Sequence, residues 1–312
     1  MVRYRTTDCS ARSRSPFDTP EAYPVLSWSE DLGERRREFN LALIPPSRLV
    51  STTRLAHNPA VNASRRIPIR IPRIYVPQPL KPGRVVELPA QAGEHIARVL
   101  RLECGHSLRL FNGDGGEYAA EIASLTKRLV TARVLEPAAA ADRESPLRIT
   151  LGQGIARGDK MDWILQKATE LGVARIVPLI TDRTEVKLGP DRTERRLAHW
   201  QAVIASACEQ CGRNRLPDLH APLRLADWAA ALVDQPGLRL ALDPHGEVAA
   251  RELSTSNAAT LAVGPEGGLS ERDLETLEQA GFRGLRLGPR ILRAETAGLA
   301  ALAALQAIHG DV

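Results

Sequence analysis

Short apolar runs that alternate with helical patterns from residue 147 onward constrain the fold of this chain most strongly. Each run is three to six residues long, and a longer amphipathic stretch separates it from the next. Runs of this kind are typical of parallel strands that helices cover on both faces. The sequence therefore predicts an α/β domain over residues 147–312, with parallel strands at Leu147–Leu151, Arg175–Ile180, Leu238–Leu242, Leu261–Val263 and Leu285–Leu287.

Capping patterns mark the helices of this domain. A polar side chain followed three positions later by an acidic residue satisfies N–H groups at a helix start, and glycine accommodates the left-handed residue after the last turn. Helices are predicted from Asp159 with Asp162 to Gly172, from Asp191 with Glu194 to Gly212, from Ser270 with Asp273 to Gly281, and from about Glu295 to Ile308.

Residues 69–137 have a different pattern, in which short segments of alternating apolar and polar residues lie between glycine-containing turns. Such spacing is typical of a small all-β domain. A short helix is predicted at Glu94–Leu102, with Ile96, Val99 and Leu100 on one face. We predict a β-barrel here and a linker at residues 138–146, and the predicted strands are Arg73–Val76, Arg84–Leu88, Leu108–Phe111, Glu117–Ile122 and Val130–Leu135.

The basic residues are concentrated before residue 138. The whole chain of 312 residues has a net charge of +5 and a pI of about 9.3. Residues 1–68 contain 11 basic and 7 acidic residues, residues 69–137 contain 10 and 7, and residues 138–312 contain 21 and 23. Residues 1–68 show no sustained hydrophobic period, and we interpret them as translated sequence upstream of the natural start. A disordered tail that touches RNA is the alternative.

Composition excludes several classes of protein. No run approaches 18 uncharged apolar residues, so no membrane-spanning helix is expected. The 4 cysteines are too few and too scattered for a disulfide scaffold, and they favour a reducing cytoplasm. Cys208 and Cys211 form a CxxC pair, but a zinc site would need a second pair at ligand spacing. We therefore expect two packed cysteines and no metal.

Two loops are candidate ligand sites because each follows a predicted strand of the α/β domain. Gly264–Gly268 contains three glycines in five residues, which permits close approach of backbone to a ligand. Leu287–Thr296 contains Arg290, Arg293 and Glu295, and Glu295 with Thr296 can instead cap the last helix. Ligands of open α/β sheets bind beyond the carboxyl ends of strands, and both loops are predicted to lie there.

A third glycine-containing segment, Gly152–Gly158, has two interpretations. Its spacing is GxGxxxG rather than the GxGxxG of dinucleotide-binding proteins, and Asp159 stands where a Walker A loop has lysine. A close approach of strand and helix is the favoured interpretation. A nucleotide-dependent oxidoreductase is the alternative, and preferential binding of a nicotinamide cofactor would support it.

Several motifs together resemble the RsmE family of 16S ribosomal RNA uridine-N3 methyltransferases, which belongs to the SPOUT superfamily. The resemblance covers roughly residues 69–312 and excludes residues 1–68. Its motifs, in order, are Ile71–Tyr75, His95–Arg101, Gly152-Gln153, Lys160-Met161, Gln166–Gly172, Cys208–Arg215, Gly264–Gly268 and Leu287–Thr296.

The resemblance implies a fold, a cofactor and partners. It implies a C-terminal SPOUT-type parallel sheet with a deep trefoil knot, preceded by a PUA-like β-barrel that helps to hold RNA. It also implies S-adenosylmethionine as the methyl donor, a homodimer, and a substrate in 16S ribosomal RNA, in the decoding region of the assembled small subunit.

Site residues follow from the same resemblance together with side-chain chemistry. The expected cofactor-binding residues are Leu242, Asp243, Gly264, Pro265, Glu266, Gly267, Gly268, Leu287, Gly288, Ile291 and Leu292. The expected RNA contacts are Arg73, Arg98, Arg101, Lys160, Lys167, Arg213, Arg215 and Arg290, because arginine and lysine pair with phosphate.

Two residues are the expected catalytic groups. Methylation of N3 of uracil requires loss of the N3 proton, which leaves negative charge on O2 and O4. Arg293 is expected to stabilise that charge, and Glu295 is expected either to take the proton or to contact the amino group of the donor. A non-enzymatic RNA-binding assembly factor is the alternative function, and RNA binding without methyl transfer would indicate it.

Overall fold

The computed structural model describes residues 71–126, 129–139, 141–186, 189–254 and 256–312. Residues 1–68, which the sequence assigns to an upstream extension, lie outside the described residues. Thirteen strands are described: β1 Arg73–Tyr75, β2 Val85–Glu87, β3 Ser107–Phe111, β4 Glu117–Leu125, β5 Val130–Pro137, β6 Arg148–Gly154, β7 Arg175–Ile180, β8 Asp218–Leu219, β9 Leu223–Arg224, β10 Leu238–Leu242, β11 Val248–Ala249, β12 Ala258–Val263 and β13 Arg283–Arg286.

Six α-helices accompany the strands in the described ranges. A π-helical stretch, His95–Leu100, continues the first helix, and a short 3-10 turn lies at Ala250–Glu252. The α-helices are α1 Ala90–Glu94, α2 Asp159–Glu170, α3 Pro190–Cys211, α4 Leu225–Ala230, α5 Glu271–Gln279 and α6 Ala294–His309.

The N-terminal strands form one five-stranded sheet in the order β1-β3-β4-β5-β2. β1 runs parallel to β3, and the other pairs are antiparallel. All five strands that the sequence predicts in this segment are present. The apolar face predicted for the helix is only partly correct: Ile96 is buried, whereas Val99 and Leu100 are exposed. The π-helical turn rotates these two side chains away from the position that a 3.6-residue period would give them.

The C-terminal strands form an eight-stranded, entirely parallel sheet in the order β11-β13-β10-β12-β6-β7-β8, and β9 also pairs with β7. One apolar core includes Ile149, Leu151 and Leu302, and a second includes Trp228 and Phe282. The α/β prediction with a parallel sheet is therefore confirmed, including all five predicted strands. The deep knot that the resemblance implies remains a prediction.

The predicted helix bounds agree with the structure to within two residues, whereas two of the expected N-terminal caps are wrong. Ser270 and Asp273 form a capping box at α5, as predicted. At α2 and α3, Gly158 and Gly189 occupy the N-cap positions, and neither helix has a side-chain cap. Gly172, Gly212 and Gly281 all have positive φ after their helices, as the sequence predicts.

Arg73 joins the N-terminal sheet to the segment that follows α3. Its guanidinium donates to Glu117 Oε1 at 2.7 Å and to Asn214 Oδ1 at 2.5 Å. It also donates to the carbonyl oxygens of Cys208, Glu209 and Arg213, and its side chain is only 13% exposed. The expectation that Arg73 contacts RNA is therefore wrong, since its donors are engaged inside the protein.

Arg213 has a similar internal role within the C-terminal domain. Its side chain is 5% exposed and pairs with Glu144, with Nη2 and Oε2 2.6 Å apart. Nη1 donates to the carbonyl oxygens of Thr169 and Val173, each at 2.9 Å. Arg213 thus ties the end of α2 to residue 144 before β6, and the expectation of an RNA contact is wrong here too.

The role of Arg213 predicts a large effect on stability. Replacing Arg213 with methionine leaves the Glu144 carboxylate and two carbonyl oxygens without their donor in a buried place, so we expect a loss of about 3–5 kcal/mol in the free energy of unfolding. Urea denaturation measures this loss. The control is Arg215→Met, because Arg215 is exposed two residues further on, and its effect should stay within about 0.5 kcal/mol. Equal effects of the two substitutions would contradict the structural role of Arg213.

Candidate active site

A cavity of about 460 Å³ lies at the carboxyl ends of β10, β12 and β13. These strands are neighbours in the parallel sheet, so the loops that follow them meet at one edge. Apolar side chains such as Leu242, Leu285 and Leu287 line the cavity, together with Asp243 and Glu266. The volume and the mixture of apolar walls with few polar groups are typical of small-molecule sites.

The structure brings together the residues that the sequence assigns to cofactor binding. All eleven line this one cavity, and Arg290 and Arg293 line it as well. The eleven are Leu242, Asp243, Gly264, Pro265, Glu266, Gly267, Gly268, Leu287, Gly288, Ile291 and Leu292. Glu295 lies just beyond the lining, in the first turn of α6.

Glycine is required in the Gly264–Gly268 loop for steric reasons. A Cβ atom on Gly264 would lie 2.5 Å from the carbonyl carbon of Gly268 and 2.7 Å from the amide nitrogen of Leu269. Gly268 has a φ of +72°, a conformation that side chains disfavour. The buried Gln153 side chain donates to the carbonyl oxygen of Gly264 at 3.4 Å. The loop therefore folds tightly on itself and presents backbone to the cavity.

The glycines of Gly152–Gly158 have a packing role, as the favoured interpretation expects. A Cβ atom on Gly152 would lie 2.3 Å from the Trp228 ring, and one on Gly154 would lie 2.5 Å from the amide nitrogen of Pro265. The partner of Gly152 is an aromatic side chain rather than a helix backbone. These contacts explain both glycines without a phosphate, so the nicotinamide alternative loses its main support.

Arg183 is a cavity residue that sequence reasoning missed. It follows β7 in a turn in which Thr184 Oγ1 accepts from the amide of Thr181 at 2.9 Å. Its Nη1 donates to the carbonyl oxygen of Gly267 at 2.8 Å, so a cation stands at the cavity edge. Its surroundings, Thr-Asp-Arg-Thr-Glu, carry no glycine or other signal that distinguishes them from a surface turn.

Two carboxylates from different loops meet one ammonium group beside the cavity. Lys160 Nζ lies 3.4 Å from Glu266 Oε1 and 3.9 Å from Glu295 Oε2. Partial burial by itself raises the pKa of Glu266. The backbone N–H groups of Arg157 and of Glu266 itself, together with the Lys160 ammonium, stabilise the carboxylate more strongly, so the net effect lowers that pKa. Glu266 is therefore ionised at neutral pH. Lys160 already has two carboxylate partners, and its expected contact with RNA stays a prediction.

The remaining basic candidates divide by exposure. Arg98, Arg101, Arg215 and Arg290 are exposed, although Arg98 also pairs with Glu94 at 2.6 Å. Lys167 pairs with Glu170 at 2.9 Å and lies 5.2 Å from the centre of the Trp163 ring, and it is left out of the RNA surface proposed below. Arg293 is exposed at the N-cap of α6.

The CxxC cysteines do not form a reactive pair. Cys208 is buried, and burial raises the pKa of its thiol to about 12. Thiolate is the form that binds metal and attacks disulfides, so Cys208 is inert at neutral pH. Within the described ranges there is no cluster of three or more potential metal ligands, and no helix there is long and apolar enough to cross a membrane.

Both folded segments match known domain families. Residues 143–306 match the RNA methyltransferase domain, and residues 88–135 match the RNA methyltransferase PUA domain. The first match covers more than half of the chain and every strand of the parallel sheet, and the second covers β3, β4 and most of β5 of the N-terminal sheet.

Relatives and solved structures agree with these matches. Ribosomal RNA small subunit methyltransferase E of Buchnera aphidicola is 34% identical over 78% of this chain and 98% of its own length, and the Bacillus subtilis protein of that name is 31% identical over 75% and 96%. A structure of that enzyme from Neisseria gonorrhoeae with S-adenosylmethionine is 39% identical, with a TM-score of 0.71 over 77% of this chain and 99% of its own. A proposed methyltransferase of Legionella pneumophila with the same cofactor is 41% identical, with a TM-score of 0.74 over 78% and 100%.

The tight loop predicts that Gly264→Ala damages the cavity. The added methyl group overlaps backbone atoms of Gly268 and Leu269, so the loop must open. We expect affinity for S-adenosylmethionine, the cofactor that the family resemblance implies, to fall about tenfold or more, as measured by calorimetric titration. Gly189→Ala is the control, since no heavy atom lies within 4 Å of its added Cβ and its φ is negative. Unchanged affinity in Gly264→Ala would contradict the steric account.

Proposed function

The chain belongs to the ribosomal RNA small subunit methyltransferase E family and is an RNA methyltransferase, and we propose that it methylates N3 of a uridine in 16S ribosomal RNA. The observation that carries the proposal is the convergence of three strand-end loops on one cavity, with Arg293 at its wall. The proposed substrate is the decoding region of the assembled small subunit.

The cavity fits S-adenosylmethionine as the methyl donor. Its volume of about 460 Å³ lies within the range of cofactor sites. Leu242, Leu287 and Ile291 supply apolar walls for an adenine ring, and Asp243 and Glu266 can accept from amino and hydroxyl groups. The Gly264–Gly268 backbone, free of side chains at three positions, lets the ligand approach closely. When bound, the cofactor supplies an electrophilic methyl group on a positive sulfur.

Arg293 stabilises the negative charge that forms on the uracil base. N3 of uracil becomes nucleophilic only after it loses its proton, and the resulting negative charge spreads onto O2 and O4. Arg293 is held at the N-cap of α6, where its carbonyl accepts from the amide of Ala297 at 2.8 Å, and its guanidinium lines the cavity. A cation at the cavity wall stabilises such an anion, and more strongly once bound cofactor and base displace water from it.

Glu295 is the proposed proton acceptor at this position. It lies two residues after Arg293, its side chain is 17% exposed, and its Oε2 has no hydrogen-bond partner among the described residues. A carboxylate with an uncommitted oxygen beside the cavity is available to accept a proton or an amino group.

The RNA surface in this proposal is local. It consists of Arg98 and Arg101 in the PUA domain and Arg215 and Arg290 in the methyltransferase domain, all exposed. We further propose a homodimer with the site near the subunit interface, a SPOUT-type deep trefoil knot, and a cytoplasmic location where ribosomal subunits mature. The proposed domains are residues 69–137 for the PUA-like barrel, 138–146 for the linker and 147–312 for the methyltransferase.

Methyl transfer to small ribosomal subunits tests the function. Subunits from cells that lack this protein should accept labelled methyl groups, and mass spectrometry of 16S fragments should find one N3-methyluridine. Methylation of another atom or another RNA would overturn the proposed substrate. RNA binding with no transfer at all would instead favour the assembly-factor alternative.

Arg293→Ala should lose turnover while it keeps the cofactor. Removal of one preorganised positive group at a developing anion lowers kcat about 10²–10³-fold, and calorimetric titration should find near-normal binding of S-adenosylmethionine. The control is Arg195→Ala, an exposed arginine on α3 that is absent from the cavity lining. Near-normal turnover in Arg293→Ala would remove Arg293 from the mechanism.

The exposed arginines of the PUA domain predict a salt effect. Replacing Arg98 and Arg101 with alanine should weaken binding to small subunits and reduce the slope of log affinity against log salt by about one to two. Filter binding at several salt concentrations measures the slope. Arg148→Ala is the control, because Arg148 is exposed at the amino end of β6, the end opposite to the cavity. An unchanged slope in the double variant would show that these arginines do not meet phosphate.

A further inference from the structure

Lys160 links three segments that surround the candidate active site. It is the second residue of α2, directly after the loop that follows β6. Its ammonium group lies between Glu266, from the loop after β12, and Glu295, from the first turn of α6. Glu266 belongs to the cavity wall, and Glu295 follows Arg293 by two residues.

The two carboxylates depend on Lys160 to different degrees. Glu266 Oε1 also accepts from the backbone amide of Arg157 at 3.0 Å, so it keeps a partner without the lysine. Glu295 Oε2 is shielded from solvent and has no hydrogen-bond partner in the described ranges, and Lys160 is the cation within 4 Å of it there. Loss of the ammonium would therefore leave that oxygen without its cation, which favours rotation of the Glu295 side chain out of its present position.

We propose that Lys160 is a positioning residue for methyl transfer, which holds the Glu295 carboxylate in place and joins it to the cofactor loop through Glu266. This inference rests on the proposed function, because it gives Glu295 its orientation in that reaction. The side chain of Lys160 is 41% exposed, and ion pairs as exposed as this one contribute little to global stability. Its effect therefore appears in turnover rather than in folding.

The same helix provides a matched control. Lys167 is also a lysine of α2 that pairs with a glutamate, at 2.9 Å from Glu170, and its side chain is 31% exposed. It differs from Lys160 in one respect that matters, since Glu170 is on the same helix and is absent from the cavity lining. A general effect of removing a lysine from α2 would appear equally in Lys160→Met and Lys167→Met.

The test is a double-mutant cycle with methyl transfer to small subunits as the readout. Lys160→Met should lower kcat about tenfold or more, with a melting temperature within about 3 °C of the wild type. Lys160→Arg should restore most of the rate, because it keeps the positive charge, and Lys167→Met should behave as the wild type. In the Glu295→Gln background, Lys160→Met should cost little further rate, since the two residues act as one unit.

Three results would overturn the inference. The first is full activity of Lys160→Met. The second is a rate loss in the double variant equal to the product of the losses from Lys160→Met and Glu295→Gln. The third is a rate loss in Lys167→Met as large as that in Lys160→Met. Each of these outcomes leaves the proposed function intact, because wild-type transfer to N3 of uridine is measured in the same assay. Failure of the wild type to transfer a methyl group would instead contradict the proposed function itself.

Discussion

Parallel pairing in register is the constraint on which the whole site depends. Val263 at the end of β12 pairs with Gln153 of β6, and Leu242 at the end of β10 pairs with Leu285 of β13. These four strands are consecutive in the sheet, so the segments that follow them leave at one edge and within reach of each other. This edge of the sheet brings together residues from different segments of the sequence, namely Lys160, Glu266 and Arg293.

Close contact between loop backbones shapes the cavity at this edge of the sheet. The loops can lie against one another only because glycine occupies the contact points: Gly154 against Pro265, and Gly264 against Gly268. Glycine at these positions keeps side chains out of the contacts and lets backbone form part of the cavity wall. Rigid loops of this kind offer a cofactor a preorganised surface, which reduces the ordering that binding would otherwise require.

The parts of the fold that were predictable are those in which a local pattern has a single physical cause. Arg175–Ile180 and Leu238–Leu242 were predicted with their observed bounds, because a strand covered on both faces is mostly apolar. The cavity loops were predictable because glycines follow β12 and β13. The two-residue strand Asp218–Leu219 left no pattern to detect. Arg183 was missed because its place depends on a contact with Gly267, 84 residues away in sequence.

Basic residues were the least predictable because charge alone does not identify the partner. Arg73 and Arg213 bind carboxylates and carbonyl oxygens inside the protein, and Lys160 and Lys167 pair with glutamates. A guanidinium suits either use equally well, since its fixed donors match phosphate and carboxylate alike. Exposure separates the two uses, and exposure is a property of the fold. The exposed cations at the cavity, Arg290 and Arg293, can thus act on a substrate anion. Lys160 pairs with two carboxylates, and it acts on that anion through these glutamates.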